Sequence, residues 1–340
     1  MSDIKINNIT NRNSDTGPVI AGVSTVSSSA FMVMPNGNTE IRSAGAGRGV
    51  FSGGRNNPVF HDTMNLVEIA TTGNAVDFGN LSKTVNGGSG NISNSTRGIT
   101  SGGYDNVAAA NASHIDYHIF SSNGGSHGFG DLTEASNAHG GHSNGRIGIF
   151  AMGYPTYSGQ LTFITIATTG DATAFGSLTS LPAVADPGGI NSPTRAILHG
   201  LNNSNENIKM CEFVTFETLG NSQEFGNLTV ARQAQTGCSS STRGISCGGL
   251  TPSLTDVIDY CTIATLGDFI DFGNLSRARR SLGGCSSSTR GLMGGGTTPT
   301  NQNNIDFVTI ASTGDATDFG DLTYSARNVK GNSDVHGGLG

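Results

Sequence analysis

Five of the eight histidines crowd one stretch of the chain: His114 and His118 in HIDYH, then His127, then His139 and His142 in HGGH. Imidazole is the commonest metal-binding side chain, and a site needs two to four ligands converging at fixed geometry. In a strand, His114 and His118 share a face but stand about 13 Å apart, too far to hold one ion. His139 and His142 flank a glycine pair and are close enough to try. Motifs without structural context have a high false-positive rate, so a structural or solvent-facing role is favoured and no metal is expected.

Six arginines recur at near-equal steps: Arg48, Arg97, Arg146, Arg195, Arg243 and Arg290, separated by 49, 49, 49, 48 and 47 residues. Guanidinium groups gathered at one place would bind an anion or a glycan. The competing reading is a structural one, pairing with carboxylates such as Asp77, Asp271 and Asp318 or with backbone carbonyls. Repetition at equal spacing favours the structural device. Cys211, Cys238, Cys247, Cys261 and Cys285 are odd in number, lack C-x-x-C spacing and read as small buried hydrophobes. No Gly-rich loop with Lys-Ser/Thr and no G-x-S-x-G occurs, so neither phosphate cradling nor a serine nucleophile is indicated. No cofactor is expected.

The elements that carry these residues repeat. IATTGNAVDFGNL (69–81) returns five times, ending with IASTGDATDFGDL. Aligned on Phe78, Phe129, Phe175, Phe225, Phe272 and Phe319, each copy has glycine five residues before the Phe, glycine one after and leucine three after. The first glycine suits a tight hairpin turn, and the β-branched and aromatic residues before it suit a half-buried strand. Phe and Leu fall on opposite sides of strict alternation, so a bulge or a strand covered on both faces is implied. Upstream of each hairpin, a short apolar run follows the arginine and ends at glycine, as in TRGITSGG and TRGLMGGG. A weaker strand fits between F-G-x-L and the next arginine.

Four short antiparallel strands in a repeat of about 48 residues make a propeller blade, and six copies make six. The expected fold is all-β: a six-bladed β-propeller over 44–340, preceded by a short extended N-terminal segment, 1–43. If the strand after each arginine is innermost, the six guanidinium groups ring one channel mouth. Aligned on the previous copy, His336–Leu339 falls where Thr289–Leu292 stood. The C-terminus is therefore expected to complete blade six near residues 44–50.

Composition agrees with a turn-rich β-protein: 51 glycines, no tryptophan and 13% charged residues. A net charge of −7 argues against nucleic acid or an anionic membrane as partner. No apolar run reaches the length of a membrane span, and the polar start has no signal-peptide core.

The Gly-Gly doublets and four-strand period resemble kelch-type propellers, without the kelch tryptophan. The strings IDY/F-V/C-T-I-A, G-D-A-T-D-F-G-D/N-L and C-S-S-S-T-R-G resemble virion structural proteins of tailed phages that infect marine cyanobacteria. The opening SDIKINNITNRNSDTGPVIAGVSTVSSS resembles the N-terminal segment of tail and fibre proteins. That resemblance implies a virion component, assembled in the host cytoplasm, with residues 1–43 as an attachment or oligomerisation segment. The partners it implies are other virion proteins, a second copy of the chain, or a host-surface glycan. No catalytic residue is carried over. The repeat copies are monotonous, whereas enzymatic propellers place unlike residues at one mouth, so no enzyme is expected. A lectin-like adsorption module is the first alternative and a glycan-processing enzyme the last. The six segments between the arginine strand and the hairpin vary most. They should share one face, with Tyr104, Tyr154 and Tyr157 as contact residues, because tyrosine combines area with few rotors and a hydroxyl.

Overall fold

The computed structural model describes residues 47–339 except 87–89, 180–188, 201 and 204–205, together with the pairs 24–25 and 32–33. The chain divides into two units, Met1–Ala44 and Gly45–Gly340. In the first, Ser24–Thr25 pairs antiparallel with Met32–Val33. The rest of the expected attachment segment lies outside the described residues.

The second unit is a six-bladed β-propeller, each blade a four-stranded antiparallel sheet. Blade 5 shows the plan. From the axis outward it runs Thr236–Ser239, Arg243–Cys247, Val257–Thr262 and Ile270–Asn274. The strand after the arginine is second from the axis. The innermost strand is the weaker one, rich in glycine and serine: Gly90–Ser93, Gly140–Ser143, Ile190–Asn191, Thr236–Ser239, Gly283–Ser286 and Lys330–Ser333. Six strands crowding one axis leave little room for side chains, which is why this position is the least apolar.

Ring closure follows from the same order. Lys330–Ser333 pairs with Arg48–Ser52, so the C-terminal strand is the innermost strand of blade 1 and does not complete blade six. Asp334 Oδ1 accepts the Arg48 N–H at 2.9 Å. The Ser287 hydroxyl accepts the Arg290 N–H at 3.1 Å within the continuous chain of blade 6. The two chain ends thus reproduce the turn that covalent connection supplies elsewhere.

The F-G-x-L strand carries a bulge in every blade. In blade 1, Met64 faces Gly79 and Asn65 faces Asp77, so Phe78 is the extra residue. The bulge rotates Phe onto the side of the Leu three positions on. Phe78, Phe225, Phe272 and Phe319 are buried, and so are Leu81, Leu228, Leu275 and Leu322. The apolar cores lie between blades, not inside them. One packs Ile147, Ile149, Leu161 and Phe175 of blade 3 against Ala196, Leu198, Val214 and Phe216 of blade 4.

The recurrent hairpin glycine also joins blades. Gly314 N–H of blade 6 donates to Phe272 C=O of blade 5 at 2.8 Å, and Ala316 N–H to Asn274 C=O at 2.8 Å. Matching pairs of bonds occur at all six joints, so each outermost strand has its edge occupied.

Candidate binding face

Each inner strand runs toward one face, and the antiparallel order returns the chain to it at every hairpin glycine. That face also carries the short helical turn Gly337–Leu339, which packs beside the inner strands of blades 4 and 5. His336 is buried beneath it. Its Nδ1 accepts the Gly338 N–H at 3.0 Å, so the proton resides on Nε2, which lies 2.9 Å from Ser93 C=O. Burial depresses this histidine to about 4 and keeps it neutral. The inner strands are laced by serines: Ser239 Oγ donates to Asn191 C=O at 2.8 Å, Ser286 Oγ to Ser239 C=O at 2.9 Å and Ser333 Oγ to Ser286 C=O at 2.6 Å. Ser93 Oγ donates in turn to Ser333 C=O at 2.7 Å. What remains on the axis is a cavity of about 70 Å³, room for a few waters and not for a sugar ring.

The arginines do not stand on the innermost strands, so the premise for a channel-mouth ring fails. Their side chains lie across the joints between blades. Arg97 Nη1 donates to Ile166 C=O at 3.2 Å and Ala167 C=O at 3.0 Å, while its guanidinium lies 4.7 Å from the centroid of the Tyr117 ring. Arg195 repeats this with Ile263, Ala264 and Phe213; Arg243 with Ile310 and Tyr260; Arg290 with Ile69 and Phe307. Arg48 donates to Phe120 C=O, and Arg146 pairs with the exposed Glu217 instead. Asp77, Asp271 and Asp318 are not their partners in any ion pair of the described residues.

Other charged and polar groups fill joints as well. Arg232 and Arg279, fully buried, pair with Asp259 and Asp306 at 3.1 and 3.0 Å. Burial pulls both guanidinium groups below their ordinary value, and the carboxylate beside each opposes that pull. Sequence reading missed these pairs. Their signal was an arginine seven residues after Phe225 and Phe272, answered by the Asp of IDY and IDF. His139 and His142 face different neighbours: His139 Nε2 lies 3.0 Å from Ser101 Oγ of blade 2, and His142 Nδ1 lies 3.2 Å from Asn191 Oδ1 of blade 4. Among the described residues no three His, Cys, Asp or Glu side chains form a group suited to a metal ion. All five cysteines are buried free thiols.

The opposite face carries the variable segments. Among the described residues, those of blades 1, 2, 4, 5 and 6 rise as two-residue β-hairpins, for example Arg55–Asn56 with Val59–Phe60 and Tyr104–Asp105 with Ala110–Asn111. Blade 3 differs. Only eight residues, 152–159, separate its second and third strands, against nine to twelve elsewhere. They form a tight turn, closed by Tyr157 N–H donating to Gly153 C=O at 2.8 Å and pinned by Asn137 N–H donating to Tyr154 C=O at 2.9 Å. Tyr154 and Tyr157 are 45% and 40% exposed, with ring centroids 5.7 Å apart and planes at 78°. Tyr104 is half-buried in the blade 2 hairpin, paired with Asn111 and Asn86. Beside the tyrosines stands Glu134, a residue that sequence reading did not single out. Its Oε1 accepts hydroxyls from Thr156 and Ser158, both at 2.9 Å.

Neither a protein-family model nor a curated protein sequence matches the chain.

Proposed function

We propose that the chain is a non-enzymatic structural protein of a virion, decorating the particle or forming part of a tail or fibre appendage. In this reading the ring presents its crown of hairpins to a protein or glycan, and residues 1–43 attach it to other virion proteins or to a second copy. One observation supports it above the others: the arginines and hairpin glycines repeated around the ring are spent on joints between blades, whereas the crown segments differ in length and sequence from blade to blade. A scaffold built this way holds its shape while one surface diversifies. The sequence resemblance to cyanophage virion proteins adds the location.

The test is a particle reconstituted with either the full chain or a chain lacking residues 1–43. The shortened chain should fold as a ring, by circular dichroism and gel filtration, yet stay off the particle. Cryo-electron microscopy of the intact particle should find the ring with its hairpin crown outward or against a partner. Normal incorporation of the shortened chain, or contact made through the face of the hairpin glycines, overturns the reading.

A further inference from the structure

We propose that Tyr154, Tyr157 and Glu134 form a carbohydrate subsite that takes one neutral pyranose ring. The inference rests on the reading of the hairpin crown as the contact surface. A pyranose presents an apolar C–H face and a rim of hydroxyls. Recognising it takes an exposed aromatic face with a fixed acceptor beside it. Tyr154 and Tyr157 are the only exposed Phe or Tyr residues among those described, and they stand next to each other. Their planes, at 78°, make a floor and a wall rather than a flat sticky patch.

The backbone that carries the two rings is fixed before any ligand arrives. Tyr157 sits at φ +45° in a turn bonded to the backbone on both sides, and Tyr154 is tied through Asn137 to Asn111 of the blade 2 hairpin. Little backbone freedom is left to lose on binding. The two hydroxyls that flank Tyr157 hold Oε1 of Glu134, which orients Oε2 as an acceptor for a sugar hydroxyl. The same carboxylate repels an anionic sugar, so the ligand is neutral. Blade 3 has the shortest crown segment, between the two longest, at 102–113 and 199–209.

The experiment titrates the full chain with methyl glycosides of glucose, galactose, mannose and N-acetylglucosamine, with glucuronic acid as the anionic control. Binding is read by saturation-transfer NMR and tyrosine emission. At least one neutral glycoside should bind more tightly than glucuronic acid. Y154A and Y157A should each weaken it about ten-fold or more, and E134Q about five-fold, whereas Y157F stays within about two-fold. All four variants should melt with the parent. No saturation transfer from any neutral glycoside at tens of millimolar, or binding indifferent to both Tyr→Ala changes, overturns the subsite. If Y154A and Y157A remove the ring from particles while no glycoside binds, the partner is a protein: the subsite falls and the crown reading stands.

Discussion

Gly273 and Gly314 form a controlled pair for testing how the blades are joined. Both hold left-handed backbone, at φ +147° and +151°, so alanine at either pays the same conformational cost of about 1–3 kcal/mol. Their surroundings differ. A Cβ on Gly314 would meet nothing within 4 Å, whereas one on Gly273 would lie 2.5 Å from Gly314 O of the next blade. Relieving that contact must push apart a joint held by Gly314 N–H to Phe272 C=O and Ala316 N–H to Asn274 C=O, both 2.8 Å, and by Asn274 N–H to Asp315 Oδ1 at 2.9 Å. Overpacking of this kind costs about 1–3 kcal/mol, and each weakened bond adds up to about 1 kcal/mol. Gly314→Ala should therefore lose about 1–3 kcal/mol and Gly273→Ala about 3–6 kcal/mol. At about 2 °C per kcal/mol for a chain of this size, the two variants should melt roughly 4–6 °C apart. Urea unfolding followed by far-ultraviolet circular dichroism gives the free-energy difference directly. Equal losses would refute the claim that the F-G-x-L glycine exists to admit the neighbouring blade.

Two further perturbations address closure and charge. Removing residues 329–340 deletes the innermost strand of blade 1 and should abolish the soluble ring in gel filtration, whereas removing 337–340 should leave it folded; a soluble ring from the longer deletion would show that closure does not depend on this strand. Burial holds His118 and His199 near 3 and His142 and His336 near 4, all well below the ordinary 6.5. Below pH 6.5 the unfolded chain therefore takes up protons that the folded ring refuses, so stability should be flat between about pH 7 and 8 and fall steadily from 6.5 toward 4. A urea midpoint constant from pH 8 to 4.5 would contradict the burial of these imidazoles.

Blade number and period were legible because the features that fix them are local. A turn glycine, an alternating strand before it and a bulge after it leave their spacing in the sequence whatever surrounds them. The order of strands within a blade was not local. The second strand is the most apolar, and apolar strands are expected deepest. Here the axis selects against side chains, so glycine and serine occupy the innermost strand: a Cβ on Gly284 would lie 2.5 Å from Gly237 O, and one on Gly331 would lie 2.6 Å from Gly284 O. One misplaced strand also moved the C-terminus from blade 1 to blade six. The sequence did carry a hint, since Asp334 stands where Ser287 stands in the preceding copy, ready to cap an arginine at the other end of the chain.

The same distinction separates the two kinds of residue read as sites. The arginines are regular because the joints are regular, and a joint needs a long side chain that spans to the next blade's carbonyls and lies over an aromatic ring. Periodicity therefore marked them as structural, but it could not say which atoms they reach. The tyrosines are irregular: among the described residues only blade 3 exchanges a hairpin for an aromatic turn, and an exception in a repeat is visible without coordinates. Glu134 was invisible because it lies eighteen residues or more from every member of the turn it orients and resembles any other surface carboxylate. Under the proposed reading, the departure from the period in blade 3 is where this sequence bears on recognition, and the side chain that completes it is one the fold brings in from the neighbouring connection.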